Sequence, residues 1–282
     1  GNHEGEWGSN LTGTPNNVAI WDAQDRTSYF PNPAPDGFFT GDTQSYDLNG
    51  NLCTGSATCG LGQRRSYYGW EWGDALFVVL DPFWSQTSGT TTPGNGQDCC
   101  QKNAGYWSLT LGRTQYAWLK QTLEQSTATY KFIFTHNLVG GVNPSVNGVD
   151  QGPMRGGVEA AKFLEWGGNN LDGSYGFATY RPGWAMPIHD LLVANHVTAV
   201  FHGHDHLYAH QTLDGISYQE VPQPSATNGN LGTRASDYGY KQGTLVGGRG
   251  YLRVSVSPSG TKVDYVETWL PSEQRANQSN RM

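Results

Sequence analysis

The feature that most constrains the fold is a repeated order of helical pattern followed by strand pattern. In Arg113–Gln125 apolar residues recur every three or four positions, as expected for a helix with one buried face, and the strand-like run Tyr130–Phe134 follows. Residues 188–195 and 197–201 repeat this order. Helices that alternate with short apolar strands indicate an α/β architecture. Apolar segments are spread over the 282 residues without a linker, so we predict one domain.

Residues that can bind metals or transfer protons come directly after the two apolar strand-like runs, 130–134 and 197–201. The segment Thr-His-Asn occupies 135–137, Gly-His-Asp-His occupies 203–206, and the chain opens with Gly-Asn-His-Glu at 1–4. Side chains at strand exits of an α/β sheet converge on one crevice, so residues distant in sequence can meet there. Imidazoles and amide oxygens bind divalent transition metals, and no thiol lies near these segments. We therefore predict a catalytic metal site and not a structural zinc site.

In order, spacing and context these motifs resemble the calcineurin-like metallophosphoesterase superfamily. The pattern of that family is Asp-x-His, Gly-Asp, Gly-Asn-His-Asp/Glu, a lone His and Gly-His-x-His, and the last three parts are present within residues 1–206. The glutamate at position 4 favours the purple acid phosphatase side of the superfamily. The resemblance implies an αββα sandwich in which helices flank two mixed β-sheets.

The first two motifs of the family are missing from the sequence. Asp-x-His occurs nowhere, and the Gly-Asp pairs at 41–42 and 73–74 follow the Gly-Asn-His-Glu motif instead of preceding it. Neither pair is predicted at a strand exit, where the family places its aspartate. We therefore expect a fragment: a metallophosphoesterase domain over 1–271 that lacks its first strands, and a polar, disordered tail over 272–282.

The resemblance implies a metal-binding role for four residues. Asn2, His136 and His204 would bind one ion, and His206 would bind a second. The two ions, of the iron, zinc or manganese class, would share a hydroxide that attacks phosphorus in line. Because the bridging aspartate is absent from the chain, we expect weak metal binding and little or no turnover.

Further residues have candidate roles beside the phosphate. His3 would assist the leaving oxygen by donating a proton, and Glu4 would orient its imidazole. Arg155 and Arg181, in the segment after the lone histidine, are candidates for contacts with phosphate oxygens, although solvent exposure is the default for such residues. His202 alternates to the other side of its strand, which favours packing or support of the ligands.

Two functional interpretations follow. The first is a metal-dependent hydrolase of small phosphate monoesters or diesters. The alternative is a noncatalytic exported module that holds a carbohydrate or a protein in the remnant cleft, since aromatic residues make up 12% of the chain. A net charge of -7 and a pI near 5.5 argue against general binding of nucleic acids or anionic membranes. No apolar run reaches the roughly 20 residues of a membrane span.

The cysteines predict an oxidising compartment. Cys53, Cys59, Cys99 and Cys100 lie in two polar loops, which suits disulfides. We expect the vicinal pair to bond to one or both of the earlier cysteines and not to each other. The predicted location is secreted or periplasmic, with a signal peptide expected before Gly1.

The remaining segments are predicted to be loops and hairpins. Residues 5–66 and 137–183 read as long loops, the first overhanging the metal cleft. After position 206 two hairpins follow, one turning at Asp214-Gly215 and one formed by 251–257 and 262–269. In the family these late strands would complete the second sheet.

Overall fold

The described part of the chain folds around one large sheet. The computed structural model describes residues 1–53, 59–86, 105–140, 145–146, 149–150, 155–224 and 235–269. The helices are α1 (Val18–Tyr29), α2 (Arg113–Gln125), α3 (Leu164–Gly167), α4 (Phe177–Tyr180) and α5 (Ile188–Ala194). The strands are β1 (Thr40–Gly41), β2 (Ser45–Tyr46), β3 (Gly62–Gln63), β4 (Tyr68–Trp72), β5 (Ala75–Val79), β6 (Tyr130–Phe134), β7 (Ser145–Val146), β8 (Val149–Asp150), β9 (Ala199–His202), β10 (Tyr208–Leu213), β11 (Ile216–Glu220), β12 (Thr244–Val246), β13 (Gly250–Ser257) and β14 (Gly260–Glu267).

The sheet is mixed, with a parallel centre. Its eight strands run in the order β1-β4-β5-β6-β9-β11-β10-β12. Strands β5, β6, β9 and β11 are parallel to their neighbours in that series, and the outer pairs are antiparallel. The carboxyl ends of the parallel strands therefore lie at one edge. This edge carries Asp81 after β5, His136 after β6, His204 after β9, and Glu220 at the end of β11.

Helices cover one face of the sheet. On α2 the apolar side chains of Leu119 and Leu123 are fully buried and belong to the main core, together with Ile133 of β6 and Val200 of β9. Burying a leucine side chain of this kind stabilises the fold by roughly 1.5–3 kcal/mol. The helical spacing in the sequence therefore corresponds to the buried face of α2.

The opposite face of the sheet has its own apolar cluster. Phe132 of β6 and Phe201 of β9 are buried there, and Leu252 of β13 and Val263 of β14 pack against them. Because strand residues point alternately to the two faces, a strand that is covered on both faces is apolar throughout. This double coverage explains the continuous apolar runs in the sequence.

The structure confirms an α/β fold with a large mixed sheet flanked by helices. Within the described ranges, the layer on the second face consists of the antiparallel hairpin β13–β14, and the other small sheets are the pairs β2–β3 and β7–β8. The hairpin of β10 and β11, expected in the second sheet, instead lies in the main sheet beside β9, and the complete two-sheet sandwich that the resemblance implies stays a prediction. The expected tail over 272–282 lies outside the described residues. No helix in the described ranges is long and apolar enough to cross a membrane.

The two long loops predicted from composition contain helices. Within residues 5–66 lies α1, whose first turn is capped by Asn17, because the side-chain Oδ1 of Asn17 accepts a hydrogen bond from the Ile20 backbone N–H at 3.2 Å. Its buried face consists mainly of Ala19, Ile20 and Ala23. Such small apolar residues give a weak periodic signal, so the helix was not predicted. Residues 137–183 likewise contain the short helices α3 and α4.

The disulfide differs from the predicted pairing. Cys53 bonds to Cys59, and their Cα atoms lie 5.8 Å apart. The expected bonds to Cys99 or Cys100 are thereby excluded for both residues. Cys53 and Cys59 pair because they are separated by only six positions, and the two ends of this short loop lie within the Cα–Cα distance that a disulfide spans. Cys99 and Cys100 themselves lie outside the described residues.

Candidate metal centre

The carboxyl edge of the sheet brings three predicted ligands together. His136 Nε2 lies 2.9 Å from Asn2 Oδ1 and 3.2 Å from His204 Nδ1. Two donors that bind one metal at about 2.1 Å, with bond angles of about 90–109°, lie about 3.0–3.4 Å from each other. The separation of 3.2 Å lies within that range, and the separation of 2.9 Å lies just below it. His136 Nε2 is therefore close enough to each of the other two donors for the pair to share an ion.

Both imidazoles of this group are neutral at neutral pH. Burial, assisted by nearby positive charges including the α-amino group, lowers the pKa of His136 to about 4. Burial, followed by the charge of Arg155, lowers the pKa of His204 to about 3. A metal binds the neutral form of imidazole, so neither side chain has to lose a proton before binding.

Close packing positions Asn2 against the lone histidine. A Cβ built on Gly1 would lie only 2.9 Å from His136 Cε1, so a glycine is needed for this approach. The Trp7 indole N–H donates to the Asn2 carbonyl at 3.0 Å. The Trp7 ring stacks on Phe83 with centroids 5.1 Å apart, and Phe83 contacts the His136 ring at 5.6 Å. The rings of Trp7 and Phe83 thus connect the opening segment to His136 at the end of β6.

The other predicted site residues lie nearby and are exposed. The charges of His3 and His206 both contribute to the lowered pKa of His136. Glu4 is 61% exposed, and its carboxylate contacts the α-amino group of Gly1. In the described structure Glu4 makes no hydrogen bond to His3, which differs from the expected orienting contact. The described residues also contain no group of three or more His, Cys, Asp or Glu side chains able to hold an ion, so they show no ligand set for a second metal around His206.

Arg155 and Asp205 support the loop that carries His204. Arg155 Nη1 donates to the His204 carbonyl at 2.9 Å and to Asp205 Oδ1 at 3.1 Å. Asp205 Oδ2 accepts from the Gly156 N–H at 2.7 Å and from the Tyr240 hydroxyl at 2.8 Å. Burial raises the pKa of Asp205, and these hydrogen bonds counteract part of the rise. The loop is therefore fastened to the segment that follows residue 154.

Glu220, which the sequence does not single out, is a buried acid below the same loop. Glu220 Oε1 accepts the Asp205 backbone N–H at 2.8 Å, and Oε2 lies 2.7 Å from His202 Nδ1. Burial and the charge of Asp205 raise the pKa of Glu220, whereas burial lowers the pKa of His202 to about 3. Both shifts favour the neutral form of each side chain. No motif marks Glu220, because its partners are set by strand pairing.

Arg181, the second arginine proposed for phosphate contact, has a different role. It is fully buried and forms an ion pair with Glu165. Its Nη2 donates to the backbone carbonyls of Trp107 at 2.7 Å and Leu109 at 3.1 Å. Arg181 is therefore a structural residue beneath the helices, and the expectation of phosphate contact is not met.

A cavity of about 690 Å³ lies beside His136. Its walls include His136 and Phe83, the apolar ends of β6 and β9 at Phe134 and Phe201, and the guanidinium-bearing Arg64. Helix α1 borders it as well. A volume of this size is typical of small-molecule sites.

No family model matches this chain, and no curated protein matches it. Solved structures with distant similarity include GAP50, the anchor in the inner membrane complex of Plasmodium, at 13% identity over 68% of this chain and 45% of that chain, with a TM-score of 0.39. PhoD is 16% identical over 71% of this chain and 40% of its own, with a TM-score of 0.42. Purple acid phosphatase PPD1 from yellow lupin (Lupinus luteus) seeds is 12% identical over 72% and 31%, with a TM-score of 0.33. The chain spans less than half the length of each, and such low similarity carries no argument about function.

Proposed function

We propose that this chain is a metal-dependent phosphoester hydrolase of the calcineurin-like metallophosphoesterase type, in which Asn2, His136 and His204 hold a metal ion. The observation that carries the proposal is the convergence of these side chains at the carboxyl edge of the sheet, with donor separations of 2.9 and 3.2 Å. Neutral imidazoles and an amide oxygen suit iron, zinc or manganese. The ion would supply Lewis acidity and a nucleophile at neutral pH.

Arg155 is the proposed phosphate-binding residue. Both N–H groups of its Nη1 are engaged with His204 and Asp205, whereas its buried Nε–H has no partner within the described residues. The Arg155 side chain is partly exposed, so the remainder of its guanidinium could bind a phosphoryl oxygen. Because Arg155 is anchored to the loop of a metal ligand, its guanidinium would hold the substrate at a fixed position relative to the ion.

Two further histidines have proposed roles, His3 as a proton donor and His206 as a metal ligand. His3 is exposed near His136, where it could donate a proton to the leaving oxygen. His206 is proposed as a ligand of a second ion. The substrate would be a small phosphate monoester or diester, and the fold would be the two-sheet sandwich of this family.

A secreted or periplasmic location is also proposed. The disulfide between Cys53 and Cys59 supports it, because such bonds persist in oxidising compartments.

A noncatalytic binding module is the second candidate function. One observation favours it: Trp72 of β4 is 74% exposed and contacts Phe38, itself 49% exposed, with ring centroids 6.5 Å apart. Exposed aromatic faces of this kind mark binding surfaces, and a sugar ring could stack there. Weakened glycan binding by a Trp72→Ala variant would support this candidate.

Isothermal titration with Zn²⁺ tests the metal site. We expect His136→Ala and His204→Ala to weaken binding at least about 100-fold, since each removes one of few protein ligands. The matched control is His210→Ala, an exposed histidine on β10, which should bind Zn²⁺ like the wild type. Equal affinity in the wild type and His136→Ala would contradict the site.

Hydrolysis of p-nitrophenyl phosphate and of its bis-ester tests the reaction. Turnover by this chain should be slow, dependent on added metal, and lost in His136→Ala. If the wild type binds Zn²⁺ but releases no more nitrophenol than metal alone, the hydrolase proposal fails and the metal site stands.

A further inference from the structure

The loop that carries His204 has an unusual backbone. His204 has a φ of 87° and His206 a φ of 59°, so two residues with side chains occupy the left-handed region. Residues with a Cβ rarely adopt this conformation, and they do so only where surrounding contacts enforce it. The loop therefore requires a partner that holds it.

Glu220 is that partner. Its side chain is fully buried at the end of β11, and its carboxyl group accepts the backbone N–H groups of both Asp205, at 2.8 Å, and His206. Successive N–H groups in a turn that mixes left- and right-handed residues form a concave site for an acidic oxygen. The side chain thus binds the loop through its backbone, directly after His204.

The carboxyl group is itself held in one orientation. Glu220 pairs with His202 in the register of β9 and β11, and its Oε2 lies 2.7 Å from His202 Nδ1. One oxygen is therefore directed at the neighbouring strand and the other at the loop. This arrangement links the sheet to the loop through a single side chain.

We propose that Glu220 is a positioning residue for the metal site, which keeps His204 Nδ1 directed at His136 Nε2. The inference deepens the proposed function, because it rests on His204 being a metal ligand. Glu220 contacts backbone, not metal or substrate, so its effect passes through the loop.

A pair of variants separates positioning from simple packing. Glu220→Gln keeps an acceptor oxygen for the loop and offers an N–H to His202, whereas Glu220→Met has similar length but no acceptor. We expect the Met variant to bind Zn²⁺ about 10–100-fold more weakly than the wild type, as for other residues that support metal ligands. The Gln variant should stay within about threefold, in keeping with the retained acceptor.

Tyr218→Phe is the matched control. Tyr218 lies on the same face of β11 and is buried, and its hydroxyl bonds His189 and Trp166 instead of the loop. This variant also loses a buried polar contact, yet its Zn²⁺ affinity should equal that of the wild type. Wild-type affinity in Glu220→Met, or an equal loss in the Gln and Met variants, would overturn the inference.

Amide hydrogen exchange gives a readout that does not require metal. In the metal-free wild type and in Glu220→Gln, the amides of Asp205 and His206 should exchange slowly, and in Glu220→Met they should exchange fast. Fast exchange in the wild type would overturn the inference even if the Met variant does not fold. If the wild type binds no Zn²⁺ but the exchange pattern holds, the metal proposal fails and the hold of Glu220 on the loop stands.

Discussion

His136 and His204 owe their neutral state mainly to burial. The pKa of His136 falls to about 4 and that of His204 to about 3, in each case chiefly through loss of hydration. Both values lie well below the usual value for histidine, about 6.5. Protons therefore compete with a metal for these nitrogens only in strong acid.

The pH dependence of metal affinity follows from this. Between pH 7 and pH 5 the Zn²⁺ affinity of the wild type should change less than about threefold, because both ligands stay neutral throughout. Titration calorimetry at constant ionic strength measures it. A fall of tenfold or more between pH 6.5 and pH 5 would show that the two imidazoles have ordinary pKa values and would contradict the account.

At the scale of elements, a buried charge network fastens the opening segment to the sheet. Arg64 Nη2 lies 2.6 Å from Glu6 Oε2 and 3.2 Å from Asp81 Oδ2, just after β5. Burial raises the pKa of Glu6, but the charges of Arg64 and Arg26 outweigh it and hold the pKa below its ordinary value. The Arg64 guanidinium also lies over the Trp84 ring, 3.6 Å from its centroid. These contacts position the opening segment, which carries Asn2.

Replacing Arg64, the central residue of this network, should destabilise the fold. Arg64→Met leaves Asp81 as a buried acid without its arginine partner and Glu6 paired with Arg26 alone, so unfolding free energy should fall by about 3–5 kcal/mol in urea denaturation. Arg253→Met is the control: its ion pair with Asp264 is solvent-exposed, and the change should stay below about 1 kcal/mol. A loss for Arg64→Met no larger than that of the control would refute the role of the network.

The sequence predicts some elements to the residue and misses others for physical reasons. Helix α2 and strand β6 have strong periodic patterns and polar ends, so Arg113–Gln125 and Tyr130–Phe134 are found as predicted. Helix α1 is missed because its buried face is small. Glu220 is missed because its role depends on β11 lying parallel to β9, a pairing set by tertiary topology.

At the scale of the whole molecule, the parallel centre of the sheet explains why the site exists. Strands β5, β6, β9 and β11 end at one edge, so His136, His204 and Glu220 become neighbours although they are distant in sequence. The convergence of histidines could be expected from strand-end placement alone. The order of the strands and the support by Arg155 could not be expected, because they depend on which strands pair, whereas the inward position of His202 follows from its alternation along β9 and is found as predicted.

A crystal structure of the chain grown with Zn²⁺, with the metal located by anomalous scattering, tests the central claim most directly. The account predicts an ion bound by Asn2 Oδ1, His136 Nε2 and His204 Nδ1 at about 2.0–2.2 Å. An ion bound elsewhere, or no anomalous peak between these three atoms at a saturating concentration, would contradict it.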